Sequence, residues 1–233
     1  MIKAVIFDWF NTLARYEPPR EEIHSRALKE AGINIEPARL IMPLAVADKY
    51  FMDENSILPI RKRTPDEQAK IYIRYEEILM EAAGLQFEKA LPSKIYYNSK
   101  SLFEGTQTFA LFDDVIPTLK ILKNRNIIIG LLTNFAKDMY PLIRQLKLDP
   151  YIDFVITPYE AHADKPQPEI FLAALKKAQV NAHEVIYVGD QYKVDILGAR
   201  SANMTGILID RYNLSKDDCI RISRLTEIVN YLS

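Results

Sequence analysis

Apolar residues run unbroken from position 4 to 7 and stop at the polar Asp8, the pattern of a parallel strand buried on both faces. Comparable short runs follow at 127–132, 154–156, 185–188 and 206–209, and the spacing predicts helices near 114–123, 137–146, 168–178 and 194–201 between them. Strand and helix thus alternate with short connections, which predicts an α/β fold with a parallel sheet wound on both faces. Between about Arg20 and Lys100 the period changes. Helical spacing dominates there, best over 22–31, 38–51 and 65–83, with Pro18, Pro19, Pro59 and Pro92 as punctuation. The expected organisation is therefore a core made of 1–15 and 106–233, interrupted by a mostly helical insert over 16–105. There is no internal repeat and no low-complexity tract.

Composition narrows the classes. The 233 residues are 48% hydrophobic and 26% charged, with 30 Lys+Arg against 31 Asp+Glu, so disorder is excluded and a nucleic-acid partner has no global electrostatic support. The longest apolar run falls far short of the ~18 residues a membrane span needs. A single cysteine, Cys219, rules out an internal disulfide and reads as a small buried hydrophobe. With no recognisable export signal, the expectation is a soluble, cytoplasmic protein without membrane or nucleic-acid partners; the oligomeric state stays open, a homodimer included.

The chemistry lies at the strand ends. Asp8 follows the first strand, Thr133 and Asn134 follow 127–132, Lys165 sits in a loop before a helix, and Gly189 and Asp190 follow 185–188. A doubly wound sheet brings all of these to one edge. Two acids, a hydroxyl and an ammonium together are what metal-assisted attack on an anionic group requires, whereas a lone carboxylate there would equally be a helix cap.

The strings FDWFNTL (7–13), LLTN (131–134), DKPQPEIF (164–171) and VGDQYKVDILGA (188–199) resemble, in order and spacing, the four motifs of the haloacid dehalogenase (HAD) superfamily of hydrolases. The insert falls where that superfamily places its cap, and its core is Rossmann-like. The resemblance implies Asp8 as nucleophile, forming an aspartyl intermediate. It implies Thr133 and the Asn134 backbone as donors to the transferring group, and Lys165 as the charge that neutralises nucleophile and substrate. Asp190 would hold Mg2+ together with Asp8 and the backbone carbonyl of Phe10. Asp195 would reach a metal-bound water or orient Lys165; its alternative is an acid favoured at a helix start.

Two positions depart from the pattern. Phosphatases of the superfamily carry a second Asp two residues after the nucleophile, as general acid and base; here that residue is Phe10, so a contribution of ~10² to 10⁴ is missing from its usual place. Asn11 replaces the more common Gly. The favoured reading is a Mg2+-dependent phosphatase acting on a small anionic metabolite whose leaving group departs without protonation. The alternative is a metal-independent 2-haloacid dehalogenase, since those enzymes carry an aromatic Tyr at the same place; they also use a cap arginine, for which Arg39 is the candidate, but lack an acid at the position of Asp190. A phosphonatase-like enzyme, with Lys49 as its cap lysine, and a silent binding module complete the set.

Substrate choice is expected to lie in the insert. Arg61, beside Lys62 and Arg63, is a candidate contact for a second anionic group, its alternative being a solvated loop. Tyr50, Phe51, Tyr72 and Tyr75 line either a pocket or the insert's own core. His24, His162 and His183 share no ligand spacing. The links near Tyr16 to Pro19 and Leu102 to Thr106 are where opening is expected.

Overall fold

The computed structural model of the chain describes residues 1–106, 108–135 and 138–233. In chain order its elements are β1 (Ala4–Phe7), β2 (Ala14–Glu17), α1 (Arg20–Glu30), α2 (Ile41–Ile57), α3 (Pro65–Ala82), α4 (Leu91–Thr106), β3 (Thr108–Leu111), α5 (Val115–Asn124), β4 (Ile128–Leu132), α6 (Tyr140–Gln145), β5 (Phe154–Ile156), α7 (Pro158–Ala161), α8 (Pro168–Ala178), β6 (Val185–Gly189), α9 (Leu197–Ser201), β7 (Thr205–Ile209) and β8 (Ile220–Ile222). They divide into two compact units, Met1–Arg15 with Phe109–Ser233, and Tyr16–Thr108.

The first unit is an α/β structure around a parallel six-stranded sheet in the order β5-β4-β1-β6-β7-β8. From β1 the chain builds outward through β4 to β5, then crosses back to the other side of β1 for β6, β7 and β8. Strand order therefore reverses at β1, which makes its carboxyl end the place where a cleft is expected in such a sheet. β1 is buried along its whole length because its side chains alternate between two cores. Val5 and Phe7 join Leu119, Leu122, Ile129 and Val188 in one. Ala4 and Ile6 join Phe171, Ala174 and Tyr187 in the other.

Several boundaries differ from the sequence expectation. Pro92 does not break the chain: it occupies the first turn of α4, where a missing N–H costs no hydrogen bond, so a fourth helix reaches Thr106 and the expected boundary at 105 falls inside it. The helix expected from 38 starts as a single 3₁₀ turn over Pro37–Leu40, and α2 then runs on to Ile57. The helix expected over 137–146 is seen as α6 from Tyr140; Lys137 lies outside the described residues. β2, β3 and β8 were not anticipated, being three or four residues long and only partly buried. Cys219, just before β8, is half-buried instead of buried.

The second unit packs α1, α2, α3 and α4 around Ala27, Leu28, Leu40, Leu44, Leu79 and Ile95. A capping box starts α3: Thr64 Oγ1 accepts from Glu67 N, and the Glu67 carboxylate accepts from Thr64 N at 2.8 Å. Tyr72 stacks on both Phe51 and Tyr96 at 5.6 Å between centroids, so these aromatics pack against one another within the unit. Two ionic clusters lie here, one half-buried and one buried. Arg20 forks onto Asp48 with two 2.6 Å bonds, and the Tyr75 hydroxyl donates to the same carboxylate at 3.0 Å. His24 sits with Nδ1 2.8 Å from the Arg20 carbonyl and Nε2 3.3 Å from Glu76 Oε1, an oxygen that also accepts from Ser99 Oγ at 3.1 Å.

With acceptors at both ring nitrogens, His24 is built to be an imidazolium. Burial alone would lower its pKa, but the Glu76 carboxylate outweighs it and the value rises above the usual 6.5. A raised histidine stabilises the fold fully below its unfolded pKa, and that contribution disappears as pH climbs through the folded value. Unfolding followed by near-ultraviolet dichroism of the tyrosines should therefore show the wild type losing stability above pH 6.5, and Glu76→Gln flattening or inverting this slope. Identical pH profiles for the two proteins would refute the assignment.

Candidate active site

Asp8, Thr133 and Asp190 each stand just beyond the end of a strand. Asp8 prolongs β1, its N–H donating to Val188 O of β6 at 2.8 Å. Phe7 is level with Leu131 of β4 and with Val188, so the residues just beyond these strands, Asp8, Thr133 and Asp190, emerge side by side. Thr133 N donates to Ile156 O at 3.1 Å, and Thr133 Oγ1 accepts from Phe135 N at 3.1 Å. Lys165 comes from the loop between α7 and α8, and the side chain of Asn134 holds its backbone at two points. Asn134 Oδ1 accepts from Lys165 N at 2.7 Å, and Nδ2 donates to Lys165 O at 3.0 Å.

The Lys165 ammonium is buried and all three of its protons are placed. It donates to Asp8 Oδ1 at 2.5 Å, to Asp195 Oδ1 at 2.7 Å and to the Tyr187 hydroxyl at 3.1 Å. Tyr187 in turn donates to Asp195 Oδ1 at 3.0 Å, while Asp195 Oδ2 accepts from Gln191 N at 2.9 Å. Asp195 stands in a single π turn over Tyr192–Ile196, leading into α9, where an ordinary α-helix was expected; such turns are frequent at functional sites. Of the two roles considered for Asp195, the geometry realises the one that orients Lys165. Gly189 makes room for it: a Cβ there would lie 2.3 to 2.5 Å from the Asp195 carboxyl group.

Three acids surround one ammonium. Carboxylate oxygens of Asp8, Asp190 and Asp195 lie within 4.8 Å of one another. Burial, and then Asp195, push Asp8 up to about 6 against the pull of Lys165. Asp190 is raised well above the carboxylate range by burial and by its acidic neighbours. Burial would lower Lys165, but Asp195 and Asp8 raise it, so the lysine stays charged. Asp190 Oδ1 is buried without a hydrogen-bond partner among the described residues, although its carboxyl group receives the Asn11 side chain. An orphaned acidic oxygen beside a second carboxylate, in a cluster short of positive charge, fits a hard divalent cation. Asp8 and Asp190 would hold it; the Asp195 oxygens are engaged by Lys165, Tyr187 and Gln191.

Asn11 adopts the left-handed conformation, φ 59°, which explains how it stands where a glycine is more usual. Phe10 is partly buried, its ring edge-on to Phe109 at 6.5 Å between centroids. Arg39 and Arg61 belong to the second unit, each exposed on a single 3₁₀ turn, and Lys49 is exposed on α2. Sequence reasoning missed Tyr187, the side chain of Asn134 and the steric role of Gly189. For Tyr187 a signal existed: a phenol inside a strand buried on both faces needs a partner for its hydroxyl.

The comparisons with known proteins agree with this geometry. A family model described as haloacid dehalogenase-like hydrolase matches residues 2–203. The glyceraldehyde 3-phosphate phosphatase of Methanocaldococcus jannaschii is 28% identical over 227 residues, covering 94% of this chain and 90% of its own. A 2-haloacid dehalogenase from Pseudomonas syringae is 26% identical, with TM-score 0.57, covering all of this chain and 98% of its own. The magnesium-bound HAD-hydrolase YfnB from Bacillus subtilis shares the fold, with TM-score 0.66 over all of this chain and 99% of its own at 17% identity. Motif order, strand-end geometry and family match converge: the chain belongs to the haloacid dehalogenase-like hydrolases.

Proposed function

We propose that the chain is a Mg2+-dependent phosphatase working through Asp8 on small phosphorylated metabolites whose leaving group needs no protonation. The observation that carries this reading is the buried Asp190 Oδ1 next to Asp8, without a hydrogen-bond partner among the described residues, an arrangement that serves a divalent cation and has no use in halide displacement. The phosphatase activity named for the archaeal relative and the magnesium in the Bacillus structure support it.

Asp8 is held ready by Lys165 at 2.5 Å and by the Trp9 backbone N–H. Its free carboxylate oxygen attacks phosphorus, the bond to the leaving oxygen breaks, and an aspartyl phosphate forms. Thr133 and the Asn134 N–H donate to the phosphoryl oxygens. Mg2+, when bound, neutralises the charge that gathers between nucleophile and phosphoryl group. Water then cleaves the acyl phosphate and frees Asp8. Position 10 contributes no proton to either step, so the leaving oxygen must depart as a stable anion, as from an acyl, aryl or enol phosphate. Phe10 also keeps the 2-haloacid dehalogenase alive as a second reading, because halide departs without a proton.

Two assays separate the readings. The purified protein should hydrolyse p-nitrophenyl phosphate only with Mg2+, lose that activity in Asp8→Asn, and release no chloride from 2-chloropropionate; metal-independent chloride release would reverse the assignment. Phe10→Asp should raise turnover of an alkyl phosphate by ~10-fold or more, within the ~10² to 10⁴ a general acid supplies. A folded Phe10→Asp protein with no gain would show that the missing proton is not what restricts the substrate. In Gly189→Ala the methyl group displaces Asp195 from Lys165, and kcat should fall by ~10²-fold.

A further inference from the structure

The turn that follows Asp8 is strained and has its own clamp. Asn11 is left-handed without being glycine, and Thr12 Oγ1 is buried with no partner among the described residues. Such a turn persists only where its surroundings fix it. Arg211, two residues beyond β7, supplies that constraint from about two hundred positions away in sequence. Its Nη2 donates to Thr12 O at 2.8 Å, and its Nε reaches Asn11 O at 3.4 Å. The guanidinium is itself aimed by a fork onto the buried Asp114, at 2.9 and 3.2 Å, and lies flat over the Phe112 ring, 3.8 Å from its centroid. Asp114 also accepts from Leu225 N at 2.8 Å, and Phe112 N donates to Leu13 O at 3.2 Å. The start of α5, the loop after β7 and the first residue of the 3₁₀ helix Leu225–Tyr231 thus all converge on the turn.

We infer that Arg211 is a positioning residue for the active site: by holding the Asn11 and Thr12 carbonyls it fixes the turn that carries Asp8 and the Phe10 carbonyl and keeps the Asn11 side chain on Asp190. The inference rests on the reading of Asp8 and Asp190 as the catalytic and metal-holding pair. It goes beyond that reading in giving a residue outside all four motifs control over the pair's geometry. No part of Arg211 needs to touch substrate.

The test uses Arg211→Lys, which keeps a positive charge beside Asp114 but cannot fork onto the carboxylate and reach both carbonyls. Trp9, the one tryptophan of the chain, lies in the turn and reports on it directly. Arg211→Lys should keep the far-ultraviolet dichroism of the wild type, shift the Trp9 emission, weaken Mg2+ binding measured by calorimetry by ~10-fold, and lower kcat by ~10-fold or more with little change in KM. If the lysine variant does not fold, the pair Asp114→Leu with Arg211→Met removes the clamp without leaving a buried charge unpaired, and the same readings are expected of it. Millimolar guanidinium should restore part of the activity of Arg211→Ala. A folded variant with wild-type Trp9 emission, Mg2+ affinity and kcat would overturn the inference. If the wild type binds Mg2+ but hydrolyses no phosphate, the proposed function fails while the clamp is still decided by Mg2+ affinity and Trp9 emission. If the wild type binds no Mg2+, both fall.

Discussion

The ammonium of Lys165, buried between Asp8 and Asp195 with Asp190 close by, is the interaction on which the arrangement of the site depends. Taking ions out of water is costly, and close pairing with full hydrogen bonding is what makes it tolerable. Lys165 meets that condition with three acceptors. The acids do not, because one ammonium cannot neutralise three carboxylates. Asp8 and Asp190 are shifted upward by burial first and by their acidic neighbours second. A divalent cation would relieve that crowding, which is why the three carboxylates together, more than any single residue, make a group that could hold a metal ion.

The sheet makes the cluster possible. In a parallel sheet, neighbouring strands end on the same side, so β1, β4 and β6 each contribute the first polar residue after an apolar run. The reversal of strand order at β1 leaves Asp8 between Thr133 and Asp190 and not at an edge. Beneath the site, Phe171 packs edge-on against Tyr187 at 5.2 Å, so the core of α8 supports the phenol that supports the lysine. The π turn and Gly189 then do for Asp195 what a regular helix start would not: they bring its carboxylate back over the end of its own strand.

How much of this was legible in the sequence follows from which contacts are local. Asp8, Thr133, Lys165 and Asp190 could be read because each stands in a fixed place relative to an apolar run or a proline-flanked loop. Tyr187, hidden in the hydrophobic string VIYVG, has its partners 22 residues before it and 8 after, and no periodicity reports that. The Asn134 side chain was read only through its backbone, because an amide that binds main-chain atoms 31 residues away leaves no mark in a pattern of side chains. Arg211 meets the turn across 199 and 200 residues. In the helical unit, apolar spacing revealed the helices, but the ionic pairs Arg20 with Asp48, half-buried, and His24 with Glu76, buried, lie where such spacing leads one to expect hydrocarbon. Arg39, the candidate cap arginine by its rough distance along the chain, and Arg61, chosen for its basic cluster, are both exposed.

The saturation of Lys165 changes what the lysine can contribute to a reaction. A lysine with a proton to spare would donate a hydrogen bond to the substrate as well as a charge. Here the third proton goes to Tyr187, so an incoming oxyanion feels the positive charge of Lys165 but must take its hydrogen bonds from Thr133 and from backbone N–H groups, unless the phenol lets go. Tyr187 is held protonated by burial and by the carboxylates around it, so it remains a donor to Asp195 and a neutral acceptor for the lysine. On the proposed reading, Asp8 is a nucleophile whose position is fixed more firmly than its surroundings are stocked with acids and bases. With Phe10 where a proton donor could stand, that reading favours substrates already prone to break, with precise placement of Asp8 as the main lever on rate.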